Sequence, residues 1–162
     1  ERIRSIILDR DCAEMDDMTE AMLYAAARAQ HVAQVIRPAL LAGKIVICDR
    51  FVDSSIAYQG YGRGLGEAVS VINDYAVCGC LPDVTFLMKM DPRVGRRRIN
   101  VQQQDRLERE KDDFHVRTYE GYLELEKKYP GRIVGIDAAR SIEEIKIDIY
   151  KKLEEVLKGV TE

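Results

Sequence analysis

The chain has 162 residues, 46% hydrophobic and 33% charged, and its 25 basic and 28 acidic side chains give a formal net charge of −3. This length and composition predict one globular domain and exclude extended disorder. The balanced charge offers no broad basic surface, so we expect neither nucleic acid nor a membrane as a partner. The longest apolar runs, such as IVIC and VTFLM, are far shorter than the roughly 20 residues that a membrane-spanning helix needs, so we expect a cytoplasmic protein.

Two helices are predicted within the first 43 residues. RIRSIIL reads as a helix already under way directly after Glu1, so we expect a further N-terminal piece before this residue. From Asp16 to Leu41 apolar residues alternate in steps of three and four, which predicts one long helix that is capped near Asp16 and ended by Gly43. Its apolar stripe consists of Met15, Met18, Met22, Ala25, Ala29, Val32 and Ile36.

Strands and helices then alternate along the chain. Three unbroken apolar runs, KIVICD (44–49), DVTFLMKMD (83–91) and RIVGID (132–137), are typical of strands buried on both faces. Helices are predicted for EAVSVINDYAVCG, for a short basic segment that begins with Pro92, for 106–129, and for the last segment from Ile142. This order predicts an α/β fold with a parallel sheet flanked by helices and no internal domain boundary.

The segment DRFVDSSIAYQGYGRGLG (49–66) begins where the first predicted strand ends. Ligands of open α/β sheets collect at the carboxyl ends of strands, so Asp49 and Arg50 are candidates to orient a metal-bound water and to bind a phosphate. The alternative is an ion pair without a chemical role. Hydroxyl, amide and aromatic groups follow within ten residues, which suits a nucleoside monophosphate; they belong to Ser54, Ser55, Tyr58 and Gln59.

The glycines of this segment do not form a known phosphate-binding pattern. Their spacing, G-x-G-x-G-x-G, matches neither the dinucleotide motif nor the P-loop motif, and the Gly43-Lys44 pair is followed by Ile45. No P-loop is therefore present in this sequence. We expect the glycines to let the backbone turn toward the next helix.

Two further groups of residues suggest nucleotide chemistry. Tyr24 and Arg28 lie four residues apart on one helix face and could form a base pocket, or only a surface pair. Arg93, Arg96, Arg97 and Arg98 follow the second predicted strand. Arginines on a closing flap would stabilise the charge of a transferred phosphoryl group, but a solvated basic helix or a nucleic-acid patch has the same composition.

These pieces, in this order, resemble the thymidylate kinase family. The matching stretches are RSIILD, LYAAARAQ, DRFVDSSIAYQGYGRGLG, LPDVTFLMKMDPRVGRRR, DRLE and FHVRTYEGYLELEKKYPGRIVGIDA, and the likeness covers essentially all 162 residues. The resemblance implies a P-loop NTPase-like nucleoside monophosphate kinase fold. It also implies transfer of the γ-phosphoryl group of ATP to thymidine monophosphate (dTMP), with Mg²⁺, in a homodimer.

The resemblance also implies roles for individual residues. Arg50 would hold the 5′-phosphate of dTMP, and Asp49 would help to organise Mg²⁺ through water. Residues 92–108 would form the lid. Arg98 is the first candidate for the catalytic arginine and Arg97 is the second, and both would bind ATP. INVQQQ stands where relatives carry more arginines.

On the nucleoside side, the resemblance implies that Tyr24 stacks on thymine and that Arg28 bonds a base carbonyl. Ser55 would lie near the base, and Tyr58 against the deoxyribose, where its ring disfavours a 2′-hydroxyl. Ser54 and Gln59 complete the expected substrate-binding set.

One part of the family pattern is expected upstream of Glu1, namely the first strand and the P-loop. We therefore interpret residues 1–162 as one thymidylate kinase-like domain without its N-terminal portion. If the polypeptide begins at Glu1, we expect it to be inactive, because it lacks the P-loop that holds the ATP phosphates. Two alternatives are therefore another nucleoside or nucleotide kinase of this fold, and a non-catalytic nucleotide-binding or dimerisation fragment.

Overall fold

The computed structural model describes residues 2–96 and 105–158, and these divide into two compact units. The first unit holds the described residues up to Leu81 and those from 105 to Tyr122, and the second holds those from Pro82 to 96 and from Leu123 onward. Arg97, Arg98 and the middle of the predicted lid lie outside the described residues.

Helices make up most of the described chain, and two strands complete it. The elements are α1 (Arg2–Leu8), α2 (Asp17–His31), α3 (Arg37–Leu41), α4 (Val52–Ser55), α5 (Glu67–Val77), β1 (Thr85–Lys89), α6 (Pro92–Arg96), α7 (Asp112–Lys128), β2 (Ile133–Asp137) and α8 (Ile142–Lys158). Two π-helical segments, Val32–Ile36 and Ile56–Gly62, follow α2 and α4. No helix within the described residues is both long and apolar enough to cross a membrane.

The predicted long helix is confirmed as a continuous run of α2, a π-helical turn and α3. Asp16 caps it, because its carboxylate accepts hydrogen bonds from the backbone nitrogens of Met18 (2.9 Å) and Thr19 (3.2 Å). The wide π turn ends two residues before Pro38. Proline lacks the backbone N–H that a regular α-helix would bond to the preceding turn, and its ring crowds that turn, which accounts for the wider winding there. Gly43 follows the run with a φ of 71°.

The predicted apolar stripe is confirmed in part, since Ala25, Val32 and Ile36 are buried. Ala21 and Ala25 are buried, but Met22 is 55% exposed. Small alanines allow α2 to pack closely on α5 and α1 in the first unit. The periodicity therefore predicted the helix correctly, but the methionines do not form its buried face.

The second unit contains a two-stranded parallel sheet, with β1 paired to β2 from Thr85–Ile133 to Lys89–Asp137. Two of the three predicted strands are thus confirmed, and α8 packs on β2 as expected for an α/β unit. A predicted helix starts later than expected: α7 begins at Asp112, because Asp105 and Glu108 close a separate turn by exchanging backbone-to-carboxylate hydrogen bonds.

The predicted strand at 44–49 is wrong for this structure. Residues 44–48 form no strand, and Ile45 and Ile47 are 75% and 94% exposed. A strand needs a neighbouring strand to satisfy its backbone hydrogen bonds, and among the described residues none pairs with this segment. An apolar sequence indicates that a segment can be buried, but it does not supply the partner.

The glycines after Tyr58 have two different physical roles. Gly64 and Gly66 have φ values of 75° and 60°, which fits the expected backbone turn. Gly62 instead permits close packing, because a Cβ there would lie 2.6 Å from the Thr118 hydroxyl oxygen and 2.7 Å from the Phe114 ring.

We therefore expect Gly62→Ala to lower the free energy of unfolding by roughly 1–3 kcal/mol, since the neighbouring ring and backbone must shift to admit the methyl group. Urea denaturation of the purified protein measures this change. Gly131→Ala is the control, because nothing lies within 4 Å of its Cβ position, and it should leave the midpoint unchanged or slightly raised. Equal midpoints for the two variants would contradict the close-packing role.

Candidate functional site

Arg50 has a strained backbone in the middle of the candidate site. It has a φ of 61°, a left-handed conformation that non-glycine residues adopt at a cost of about 1–2 kcal/mol. Asp49 and Arg50 are both exposed and are separated from the start of α4 by Phe51. Strain of this kind is often kept where a side chain must be aimed at a ligand, so the conformation supports a functional role for Arg50.

The Arg50 cluster consists of Arg50, Ser54, Tyr58 and Tyr122. The Arg50 guanidinium carbon lies 5.2 Å from the centroid of the Tyr58 ring, which is within the range of a cation–π interaction. Tyr122 packs edge-on against Tyr58, with ring centroids 6.3 Å apart, and its hydroxyl lies 2.7 Å from that of Ser54. A cation, two phenols and a serine hydroxyl thus lie close together in the structure.

The surroundings of Arg50 and Tyr122 shift the pKa values of both side chains. Partial desolvation by itself lowers the pKa of Arg50, but the hydroxyl of Tyr58, with Tyr122 and Asp49, raises it above its ordinary value. Burial raises the pKa of Tyr122 to about 12, against the opposing effects of its bond to Ser54 and the charge of Arg50. At neutral pH the cluster therefore presents a permanent cation beside a neutral phenol, which suits a phosphate.

The Arg28 cluster consists of Arg28, Phe51 and Asn73. One terminal nitrogen of Arg28 donates to the Phe51 carbonyl oxygen at 3.1 Å and the other to Asn73 Oδ1. The guanidinium carbon also lies 5.5 Å from the centroid of the Phe51 ring. Burial lowers the pKa of Arg28 to about 10, so it stays cationic at neutral pH.

Tyr24 lies one turn before Arg28 on α2 and is partly buried. Burial, followed by the negative charge of Glu20, raises its pKa to about 12. Its hydroxyl therefore stays protonated, and its ring is available as an apolar surface. The structure gives no contact between Tyr24 and the Arg50 cluster.

The Glu20 cluster consists of Glu20, Gln59, Arg63 and Arg106. Glu20 is 0% exposed, and its carboxylate accepts hydrogen bonds from Gln59 Nε2 (2.8 Å), from Arg63 (3.1 Å) and from Arg106. A buried carboxylate is tolerated only when such donors replace water. Gln59 is thus bonded to a protein partner in the interior.

Arg63 connects this cluster to two more carboxylates. It contacts Asp17 at 3.2 Å and Glu110 at 2.6 Å. Its guanidinium carbon lies 4.8 Å from the centroid of the Phe114 ring. Partial burial lowers the pKa of Arg63, but the bonds to Glu20 and Glu110 outweigh it and raise the pKa above its ordinary value, so Arg63 stays charged.

The structure brings together only part of the predicted site. It places Arg50 with Tyr58 and Ser54, and it places Arg28 against Phe51 of the same segment. Ser55 is buried on α4. Sequence reasoning did not identify Glu20, Arg63, Asn73 or Tyr122 as members of the site, and it placed Arg106 in the lid without predicting its bond to Glu20.

One sequence signal could have found Glu20. It precedes Tyr24 by four residues, and Tyr24 precedes Arg28 by four, so all three share one face of α2. Tyr122 and Asn73 have no such local signal, because their partners lie 68 and 45 residues away.

Comparisons with known proteins agree with the resemblance seen in the sequence. The family model described as thymidylate kinase matches residues 1–149. A thymidylate kinase of Halalkalibacterium halodurans is 48% identical over 161 residues, which cover 97% of this chain and 77% of that protein. A thymidylate kinase of Lactobacillus helveticus is 51% identical, with 97% and 76% coverage, and one of Clostridium novyi is 47% identical, with 90% and 73% coverage.

The buried charges of the Glu20 cluster predict a large effect on stability. Glu20→Gln should lower the free energy of unfolding by about 3 kcal/mol, because it leaves Arg63 and Arg106 without their shared buried carboxylate. Urea denaturation measures the loss. Glu155→Gln is the matched control, since Glu155 lies exposed on α8 and forms a surface ion pair with Lys152. A Glu20→Gln midpoint equal to that of Glu155→Gln would refute the role of Glu20.

The strained backbone of Arg50 predicts a difference between two small substitutions. Arg50→Gly should be more stable than Arg50→Ala by about 1 kcal/mol, since glycine adopts a left-handed conformation without strain. The same pair at Lys151, inside α8, should show the opposite order, because glycine is the poorer helix former. Thermal unfolding of the four variants tests the sign, and an Ala variant as stable as the Gly variant at position 50 would argue against strain.

Proposed function

We infer the function of this chain from the premise that it belongs to the thymidylate kinase family: it phosphorylates dTMP to thymidine diphosphate with ATP as co-substrate. The observation that carries this conclusion is the family match over residues 1–149, together with relatives that are 47% to 51% identical over most of their length. Another kinase activity or a non-catalytic fragment is not favoured by these matches.

We propose that Arg50 holds the 5′-phosphate of dTMP. Its cation lies against the ring of Tyr58, and its raised pKa keeps it charged at any physiological pH. A planar guanidinium can bind two phosphate oxygens at once, which fixes the orientation of the phosphate as well as its position. The phosphate then serves as the nucleophile of the reaction, and it must be held in line with the donor.

The sugar and base roles follow from the neighbouring groups. We propose that the ring of Tyr58 lies against the deoxyribose, and that Ser54 and Ser55 belong to the polar wall of the same pocket. Tyr122 holds the Ser54 hydroxyl and the Tyr58 ring in place. Gln59 contributes through its bond to Glu20, which anchors the chain directly after Tyr58.

Base recognition is assigned to α2. We propose that Tyr24 stacks on thymine through its neutral ring and that Arg28 donates to a base carbonyl. The guanidinium has five N–H donors, and the bonds to Phe51 and Asn73 use two of them.

Phosphoryl transfer itself needs charge stabilisation more than covalent chemistry. We propose that Arg98, with Arg97 as the second candidate, supplies positive charge near ATP from a lid at residues 92–108. The two arginines lie outside the described residues.

Magnesium is assigned to Asp49. Mg²⁺ in such enzymes is held by one or two carboxylates together with substrate phosphates and water, so the single exposed carboxylate of Asp49, next to the phosphate-binding Arg50, fits this mode. Among the described residues no group of three potential ligand side chains would hold the ion alone. When bound, the ion would neutralise charge on the ATP phosphates.

The remaining expectations are proposals as well. The family resemblance supports a homodimer, a cytoplasmic location and a single thymidylate kinase-like domain over residues 1–162 that lacks its N-terminal portion.

A substrate panel tests the function. With ATP, we expect product formation from dTMP to exceed that from uridine monophosphate, cytidine monophosphate and unphosphorylated thymidine, measured by chromatography of the nucleotides. Arg50→Ala should lower kcat/KM for dTMP roughly 10- to 150-fold, because hydrogen bonds to charged groups contribute about 1.5–3 kcal/mol.

Arg140→Ala is the control, since the partners of Arg140 among the described residues are surface carboxylates of α8. A preference for thymidine over dTMP would exclude the proposed substrate. An Arg50→Ala enzyme with the same kcat/KM as the Arg140→Ala enzyme would exclude the phosphate role of Arg50.

A further inference from the structure

Asn73 is a fully buried polar residue on α5 with two hydrogen-bond partners. Its side chain is 0% exposed, its Oδ1 accepts from Arg28, and its Nδ2 donates to the Val69 carbonyl oxygen at 2.8 Å. Among the described residues, the Arg28 guanidinium donates hydrogen bonds to Asn73 Oδ1 and to the Phe51 carbonyl oxygen.

The orientation of the Asn73 amide is fixed by the chemistry of its partners. A guanidinium can only donate and a backbone carbonyl can only accept, so turning the amide over would break both bonds. Leaving two buried polar groups unsatisfied is strongly unfavourable. Asn73 Oδ1 is therefore a permanent acceptor aimed at Arg28.

Two anchors determine the plane of the Arg28 guanidinium. Asn73 holds one terminal nitrogen and the Phe51 carbonyl holds the other, at 3.1 Å. Because the group is planar, two fixed nitrogens also set the direction of the remaining N–H bonds. Phe51 directly follows Arg50. The bond from Arg28 to the Phe51 carbonyl therefore fixes the Arg28 guanidinium relative to the residue that we assign to the phosphate.

We propose that Asn73 is a positioning residue for base selectivity: by orienting Arg28, it makes the site prefer a pyrimidine with a carbonyl at C4 over one with an amino group there. The proposal rests on the base-reading role assigned to Arg28 under the proposed function. An oriented guanidinium can donate to a C4 carbonyl, whereas a C4 amino group offers it only a donor. A guanidinium free to rotate would discriminate less.

Deoxyuridine and deoxycytidine monophosphates test this point, because their bases differ only in the C4 group and the associated N3 proton. We expect wild-type enzyme to prefer the uracil nucleotide in kcat/KM. Asn73→Ala should reduce that preference roughly tenfold, mainly through KM, with a smaller change in kcat for dTMP. Asn73→Asp should retain the preference, since its carboxylate keeps an acceptor for Arg28.

A loss of folded protein lowers both rates equally and leaves their ratio unchanged, so the ratio separates positioning from stability. Thr118→Ala is the matched control. Thr118 is also buried and bonds a backbone carbonyl, that of Phe114 at 2.8 Å, but it does not contact Arg28. This variant should keep the wild-type ratio.

The outcomes distinguish the two levels of the proposal. If Arg28→Leu abolishes the preference but Asn73→Ala keeps it, the positioning role of Asn73 is overturned while the role of Arg28 stands. If Arg28→Leu keeps the preference, the base-reading role of Arg28 and the inference built on it are both overturned. If wild-type enzyme does not phosphorylate dTMP, the proposed function itself is wrong.

Discussion

The buried carboxylate of Glu20 is the interaction on which the order of the first unit most depends. A charge with no exposure to water needs donors from the protein, and Glu20 takes them from Gln59, Arg63 and Arg106. These donors lie 39 to 86 residues away along the chain. One carboxylate therefore ties α2 to the glycine-rich segment and to the turn before α7.

The polar face of α2 bonds the 49–66 segment at Phe51, Gln59 and Arg63, and the first two of these bonds lie beside the proposed substrate residues. Arg28 bonds the Phe51 carbonyl near its start, and Glu20 bonds Gln59 farther along. The residues proposed to contact phosphate and sugar, Arg50 and Tyr58, lie next to these two anchors. Anchors of this kind allow Arg50 to keep a left-handed backbone, because the neighbouring bonds offset the strain.

Most helices and two strands were predictable, because helical periodicity and apolar runs are local properties. The strand predicted at 44–49 shows the limit of that reasoning. Its apolar sequence is as strand-like as that of β1, but β1 pairs with β2, whereas 44–49 has no partner strand among the described residues. Pairing depends on a second segment, which local composition does not specify.

The sequence by itself determined the family, most helix bounds apart from the start of α7, and the chemical types in the candidate site, because Arg50, Tyr58 and Arg28 lie in short, recognisable stretches. Only the tertiary structure decided which groups hold those side chains. Asn73 reaches Arg28 across 45 residues, and Tyr122 reaches Ser54 across 68. The physical reason is that buried polar groups must find partners in three dimensions, and helical spacing relates only residues a few positions apart.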